Sequence, residues 1–194
     1  MSLAKEAGRR YTYADYLTWP EDERWELIDG VAYDMSPTPT RRHQEVVVEI
    51  CRQFANQLED RRCRVYVAPF DVRLGAPGAA DDQIDTVVQP DVSVWCDPDK
   101  LDERGAKGAP NLAVEVLSPH TAAKDLTVKR DLYARVGVAE YWTLEPLDRV
   151  LMIWRLEGGR YGTPRITALE GVAASDVAGL QLDLDRLASV LEDL

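Results

Sequence analysis

The chain has 194 residues, 45% of them hydrophobic and 29% charged, the balance of a soluble globular protein and enough length for one domain with a sizeable core. No apolar run approaches the ~18 residues of a membrane span, and the polar start, Met1 to Arg10, lacks the apolar centre of a signal peptide. A net charge of −11 and a pI near 4.7 argue against a broad, non-specific nucleic-acid surface. They leave room for a local basic groove beside an acidic site, with Arg41, Arg42, Lys124, Lys129 and Arg130 as candidates. Cys51, Cys63 and Cys96 are odd in number and never spaced C-x-x-C, so they read as small buried hydrophobes in a reducing cytoplasm.

In chain order, Tyr13 to Trp19 reads as a short helix stopped by Pro20, and Glu21 to Arg24 as an acidic loop. Trp25 to Met35 reads as a hairpin turning at Asp29-Gly30. Glu26 shares a strand face with Ile28, and the pattern alone makes it a solvent-facing hairpin carboxylate. Ser36 to Thr40 is a Pro-rich link with Thr38 as N-cap and Pro39 in the first turn. Val47, Ile50, Cys51, Phe54 and Leu58 then recur at helical spacing, predicting a long amphipathic helix to about Asp60. His43 extends that stripe by one turn toward the hairpin, as a packed or capping residue or as a functional one.

Arg64–Ala68 and Phe70–Leu74 read as strands around Pro69, Gly75–Asp82 as a small-residue loop, and Ile84–Val88 as a return to the sheet. Two apolar runs follow, Pro90 to Cys96 and Asn111 to Ser118, separated by a polar loop from Asp97 to Pro110. In the second run Leu112, Val114 and Val116 share one face, and Ala113, Glu115 and Leu117 the other. Both faces are apolar except at Glu115, as in a strand buried on both sides. A carboxylate there costs several kcal/mol unless it is paired or bound to a cation. A salt-bridged core Glu is one reading. Asp91, opening the neighbouring run, favours the other, because two inward carboxylates on adjacent strands make a hard-cation site.

Thr121 to Val136 predicts a second helix closed by Gly137. Ala122, Leu126, Tyr133 and Val136 fall on its inward stripe, with Lys129 at the centre. A Lys so placed needs an anionic neighbour or a route to solvent, and the Glu115 strand leads directly into this helix. Lys124 and Arg130 lie further round, toward solvent. Ala139–Leu144, Arg149–Leu156 and Tyr161–Leu169 read as strands, and Leu180–Leu194 as a loop-borne short helix. With no repeat and no linker, the chain reads as one α/β (α+β) domain, core about 11–156 and closing elements 157–194.

This order of pieces resembles the Uma-type restriction-endonuclease family within the PD-(D/E)XK nuclease superfamily. The matching segments are Trp25-Glu26-Leu27-Ile28-Asp29-Gly30, Met35-Ser36-Pro37 with His43 following, Gln89-Pro90-Asp91-Val92-Ser93 and Val114-Glu115-Val116-Leu117-Ser118-Pro119. They continue with Asp125 to Tyr133 and Gly137-Val138-Ala139-Glu140-Tyr141-Trp142. The resemblance implies a central mixed β-sheet flanked by helices, and Mg²⁺-dependent hydrolysis of DNA phosphodiester bonds, with Mn²⁺ as a substitute. It implies Asp91, Glu115 and Glu26 as metal ligands. The superfamily Lys two residues beyond the second acid is missing, since that position is Leu117. Lys129 from the following helix is the match, with Tyr133 and His43 as auxiliary residues. Cutting both strands of DNA needs two such sites, which makes a homodimer one expected form. The rival readings are a non-catalytic binding or assembly module on the same fold, and a metal-dependent hydrolase of a smaller phosphate ester.

Overall fold

A computed structural model describes residues 8–20, 22–35 and 38–192; Met1 to Ala7, Glu21, Ser36-Pro37 and Asp193-Leu194 fall outside them. In chain order come α1 (Tyr13–Tyr16), β1 (Trp25–Ile28), β2 (Val31–Asp34), α2 (Arg41–Leu58), β3 (Arg64–Val67), β4 (Val72–Arg73), β5 (Val87–Val88), β6 (Val92–Trp95), β7 (Leu101–Asp102), β8 (Gly105–Lys107) and β9 (Leu112–Val116). They are followed by α3 (Ala122–Lys124), a π-helical turn (Asp125–Lys129), α4 (Arg130–Val136), β10 (Glu140–Glu145) and β11 (Val150–Glu157). The chain closes with β12 (Arg160–Tyr161), β13 (Arg165–Ala168), β14 (Val172–Ala174), β15 (Gln181–Asp183) and α5 (Leu184–Glu192). The class is α+β, with mixed sheets, as the family resemblance implies. The chain forms two compact units from interleaved segments: residues up to Thr38 with Pro69–Gln89 and Asp99–Gly108, and Pro39–Ala68 with Pro90–Pro98 and the chain from Ala109 on.

The first unit is a six-stranded sheet in the order β2-β1-β5-β4-β8-β7. Its hairpin turns as expected at Asp29-Gly30, both with positive φ (48° and 74°), the conformation that suits the twist of the flanking strands. Glu26 departs from the pattern: it is fully buried along with Trp25, Leu27 and Ile28, so both faces of β1 are covered. Tyr11, Tyr13, Leu27, Ile84 and Val87 form the core, with Tyr16 and Trp19 packed against it. The helix expected over Tyr13–Trp19 is a single turn, fixed by a reciprocal cap between Thr12 and Asp15. The predicted loop from Asp97 to Pro110 carries a hairpin, β7–β8, whose second strand runs parallel to β4. Gly105 is required there, because a Cβ would stand 2.2 Å from the Asp71 carbonyl oxygen.

The second unit is a seven-stranded sheet, β12-β11-β10-β9-β6-β3, with β13 also on β11. On one face Val92, Val94, Val114, Val116, Trp142 and Leu144 form a continuous core with Val46, Val47, Ile50 and Phe54 of α2 and with Leu184, Leu187 and Leu191 of α5. On the other face Tyr141 of β10 meets Tyr133 of α4, ring centroids 5.0 Å apart. β9 and β10 are parallel, and the α3–π–α4 segment is the crossover such a pair needs. α2 starts at Arg41, two residues later than expected, because the hydroxyl of Thr40, rather than Thr38, accepts the His43 N–H. The cysteines also differ from expectation. The β3–β6 register pairs Arg64 with Trp95, and one step further Cys63 faces Cys96, where the two are joined in a disulfide. Cys51 on α2 stays unpaired and half-buried.

Candidate active site

The candidate site of the second unit starts from the strand register. β6 and β9 pair Val92 with Val114, and one step further Asp91 lies opposite Glu115. On the far side of β9, Thr143 of β10 pairs with Glu115. The three form one row across the sheet, at the β6 end where the helix-bearing loop after β9 begins. Asp91 is tied to this row directly: its Oδ2 accepts the Val116 N–H at 2.8 Å. The same oxygen lies 3.1 Å from His43 Nε2, so the first turn of α2 and the start of β6 meet at one carboxylate. A charge-assisted bond from a backbone N–H and an imidazole fixes its orientation.

Glu115 is held from the other helix. Its Oε1 accepts hydrogen bonds from Lys129 Nζ at 2.7 Å and from Tyr133 OH at 3.0 Å. The side chains of Glu115 and Lys129 are only 5% and 3% exposed, whereas Asp91 and His43 reach 18% and 13%. The row therefore runs from a partly open end at Asp91 to a closed end at Glu115. A buried Lys and a buried Glu each need the other, because either alone would be an uncompensated charge in a poorly solvated place.

The local helix geometry explains how Lys129 gets there. Regular 3.6-residue spacing puts Leu126 and Val136 inward, but both are half-buried, and the inward residues are Asp125, Lys129, Leu132 and Tyr133. The cause is the π turn, closed by Arg130 N–H to Asp125 C=O, whose extra residue shifts the phase of the helix between its two ends. Asp125 Oδ1 lies 3.8 Å from Lys129 Nζ, with both side chains 3% exposed. Tyr141 OH donates to the Asp125 carbonyl oxygen at 3.0 Å. Burial first, and then the negative charges of Glu115 and Asp125, push the Tyr141 phenol well above its ordinary range, so it remains a neutral donor.

Of the residues singled out by sequence, Asp91, His43, Glu115, Lys129 and Tyr133 belong to the second unit, and the hydrogen bonds above gather them into two linked groups. Glu26 belongs to the first unit, where its Oε1 accepts the Gln89 N–H at 3.0 Å. Gln89 is anchored in turn by Nε2 to Asp71 and to the Tyr16 hydroxyl, and by Arg24 to its Oε1. Sequence reasoning missed Asp125 and Thr143. Asp125 had a signal, an acid four residues before Lys129 on a helix. Thr143 had none, since its relevance comes only from strand register. The Ser118 hydroxyl accepts the Thr121 N–H where the crossover helix starts.

Among the described residues no three or more His, Cys, Asp or Glu side chains converge into a ready-made metal cage. The carboxylate pair Asp91–Glu115 nevertheless suits a small hard cation, which binds through one or two carboxylates and leaves its other positions to water and phosphate.

The match to known proteins covers most of the chain. A family model described as "Putative restriction endonuclease" matches residues 13–185. An uncharacterised protein of Synechocystis sp. PCC 6803 is 34% identical over 122 residues, 62% of this chain and 60% of that relative's length. The chain thus spans less than two thirds of that relative. The crystal structure of a protein from Anabaena variabilis, titled a putative nuclease, superposes with a TM-score of 0.73 at 19% identity, covering 93% of this chain and 99% of the other. At that identity the likeness speaks for a shared fold.

Proposed function

The chain belongs to the Uma2 family of restriction-endonuclease-like proteins, and from that premise we propose that it hydrolyses DNA phosphodiester bonds with Mg²⁺, or with Mn²⁺ in its place. The observation that carries the reading is the row of Asp91 and Glu115 on neighbouring strands, with Lys129 hydrogen-bonded to the second carboxylate. The cation site we propose uses second-unit residues alone, Asp91 and Glu115. When bound, the cation would supply a water of lowered pKa and polarise the scissile phosphate.

The chain's own residues do the rest. His43 and the Val116 N–H hold Asp91 through Oδ2. Lys129, delivered by the π turn in place of the residue at Leu117, carries a fixed positive charge beside Glu115, where it offsets charge developing on phosphate oxygens. Tyr133 OH holds Glu115 in the rotamer that faces Lys129. Arg41 and Arg42 occupy the first turn of α2, next to His43, and that turn holds no acidic residue. A helix N-terminus attracts anions, and two cations in its first turn strengthen that attraction for a polyanionic backbone. Such contacts would make binding salt-dependent.

The test is nicking of supercoiled plasmid with Mg²⁺, Mn²⁺ or EDTA, for wild type, Glu115→Ala and Lys129→Ala. Metal-dependent cutting by wild type, lost in both variants with folding retained, is the expected result. Unchanged cutting in Glu115→Ala would sink the assignment. A second reading, hydrolysis of a smaller phosphate ester, is favoured by the net charge of −11, which opposes a DNA polyanion more than a small ester. Efficient turnover of mononucleotide esters with no cutting of oligonucleotides would select it.

A further inference from the structure

The Lys129 ammonium has two carboxylates around it at unequal distances, and the proposed use of the site changes their competition. In the arrangement on hand Nζ stands 2.7 Å from Glu115 Oε1 and 3.8 Å from Asp125 Oδ1. All three side chains are almost fully buried, at 3–5% exposure. A cation that takes Glu115 repels Lys129 and competes for the same oxygen. A buried ammonium driven off Glu115 needs another anion beside it, or cation binding is penalised accordingly.

We propose that Asp125 is a positioning residue for this site: it is the second carboxylate that holds Lys129 in place when Glu115 binds a divalent cation. The inference rests on the cation site proposed above. Three features carry it. Asp125 and Lys129, four residues apart, share one helix face with Nζ 3.8 Å from Oδ1, so the lysine can shift its weight between acids without leaving the site. The π turn is braced where it is weakest, because Tyr141 OH bonds the Asp125 carbonyl that also closes the wide turn. Asp125 is as buried as the pair it serves, and a surface-type i,i+4 ion pair would have no reason to be placed there. Lys129 thus moves over a short distance within one fixed cluster.

The account has a thermodynamic signature. Asp125 helps the cation only through Lys129, so its effect on affinity must vanish when Lys129 is removed. The measurement is Mn²⁺ affinity, by electron paramagnetic resonance of the free ion or by calorimetry, for wild type, Asp125→Asn, Lys129→Ala and the double variant. Circular dichroism checks the fold of each, and Asp125→Glu serves as a charge-conserving control should Asp125→Asn fold poorly.

Asp125→Asn should weaken Mn²⁺ binding about ten-fold, within the ordinary range of site-to-site coupling. The same change in the Lys129→Ala background should leave affinity within about two-fold, and Asp125→Glu should stay near wild type. Equal weakening in both backgrounds would overturn the proposal and make Asp125 a direct ligand or a merely structural residue. No effect of Asp125→Asn in either background would also overturn it, while leaving the cation site standing. Absence of Mn²⁺ binding by the wild type would instead remove the cation site itself, and this inference with it.

Discussion

Thr143 sits in the same row as Asp91 and Glu115, fully buried, and its hydroxyl meets no hydrogen-bond partner among the described residues. An unsatisfied buried hydroxyl costs about 1–3 kcal/mol, and a methyl of the same shape does not. Thr143→Val should therefore raise stability by about 1 kcal/mol in urea denaturation; a loss of stability would show that the hydroxyl is bonded in solution. Tyr141 gives a second residue-scale prediction. Its folded value is raised, by burial above all, so the neutral phenol stabilises the fold below the ordinary tyrosine range of ~10 and that contribution is lost as pH rises above it. The thermal midpoint of wild type should fall more steeply above pH ~10 than that of Tyr141→Phe. Equal slopes would mean that Tyr141 titrates like an exposed phenol. At this scale the sequence revealed charges that packing could not explain: Glu115 inside an apolar strand and Lys129 inside an apolar stripe. It offered Asp125 only as an acid four residues before Lys129, and could not show that the two are buried together beside Glu115.

The elements around the site are held by contacts that differ in how visible they are from sequence. Gln53 of α2 bonds both the N–H and C=O of Asp183, and Gln57 does the same for Gln181, so two amide side chains act as a strand edge for β15. Glu49, beside them on α2, is held below the usual carboxylate range by the fork from Arg52. A depressed folded value stabilises above the unfolded value of ~4.3 and is lost as pH falls through the folded one. Glu49→Gln should thus lower the thermal midpoint at pH 7, with the gap to wild type closing below pH ~4. A gap that persists undiminished in acid would contradict the assignment. The Cys63–Cys96 bridge closes a loop of sequence separation 33 at the β3–β6 margin. A loop of that length is worth about 3–4 kcal/mol by restricting the unfolded chain, so Cys63→Ala with Cys96→Ala should lower stability by roughly that amount, and a reductant should do the same to wild type only. Sequence made α2, the hairpin and β9 legible through periodicity and turn chemistry. The β7–β8 hairpin was not, because its strands are two and three residues long and the second opens on Gly105 and is followed by Gly108.

The whole molecule combines a strongly acidic surface with a candidate site for a polyanion, and the tension sets its testable behaviour. The second unit alone supplies Asp91, Glu115 and Lys129, and its register follows from two runs recognisable in the sequence as strands. What the sequence lacks is the division into two interleaved units, since no composition shift or linker marks boundaries at Thr38, Ala68, Gln89, Pro98 and Gly108. Among the described residues no helix is long and apolar enough to cross a membrane. The central claim is that Asp91 and Glu115 hold one divalent cation together. Its most direct test is calorimetric titration of Mn²⁺ into wild type, Asp91→Ala and Glu115→Ala, each checked for folding by circular dichroism. The account predicts a saturable site in wild type that weakens at least ten-fold in either variant. Equal binding by all three proteins, or none by wild type, would contradict it.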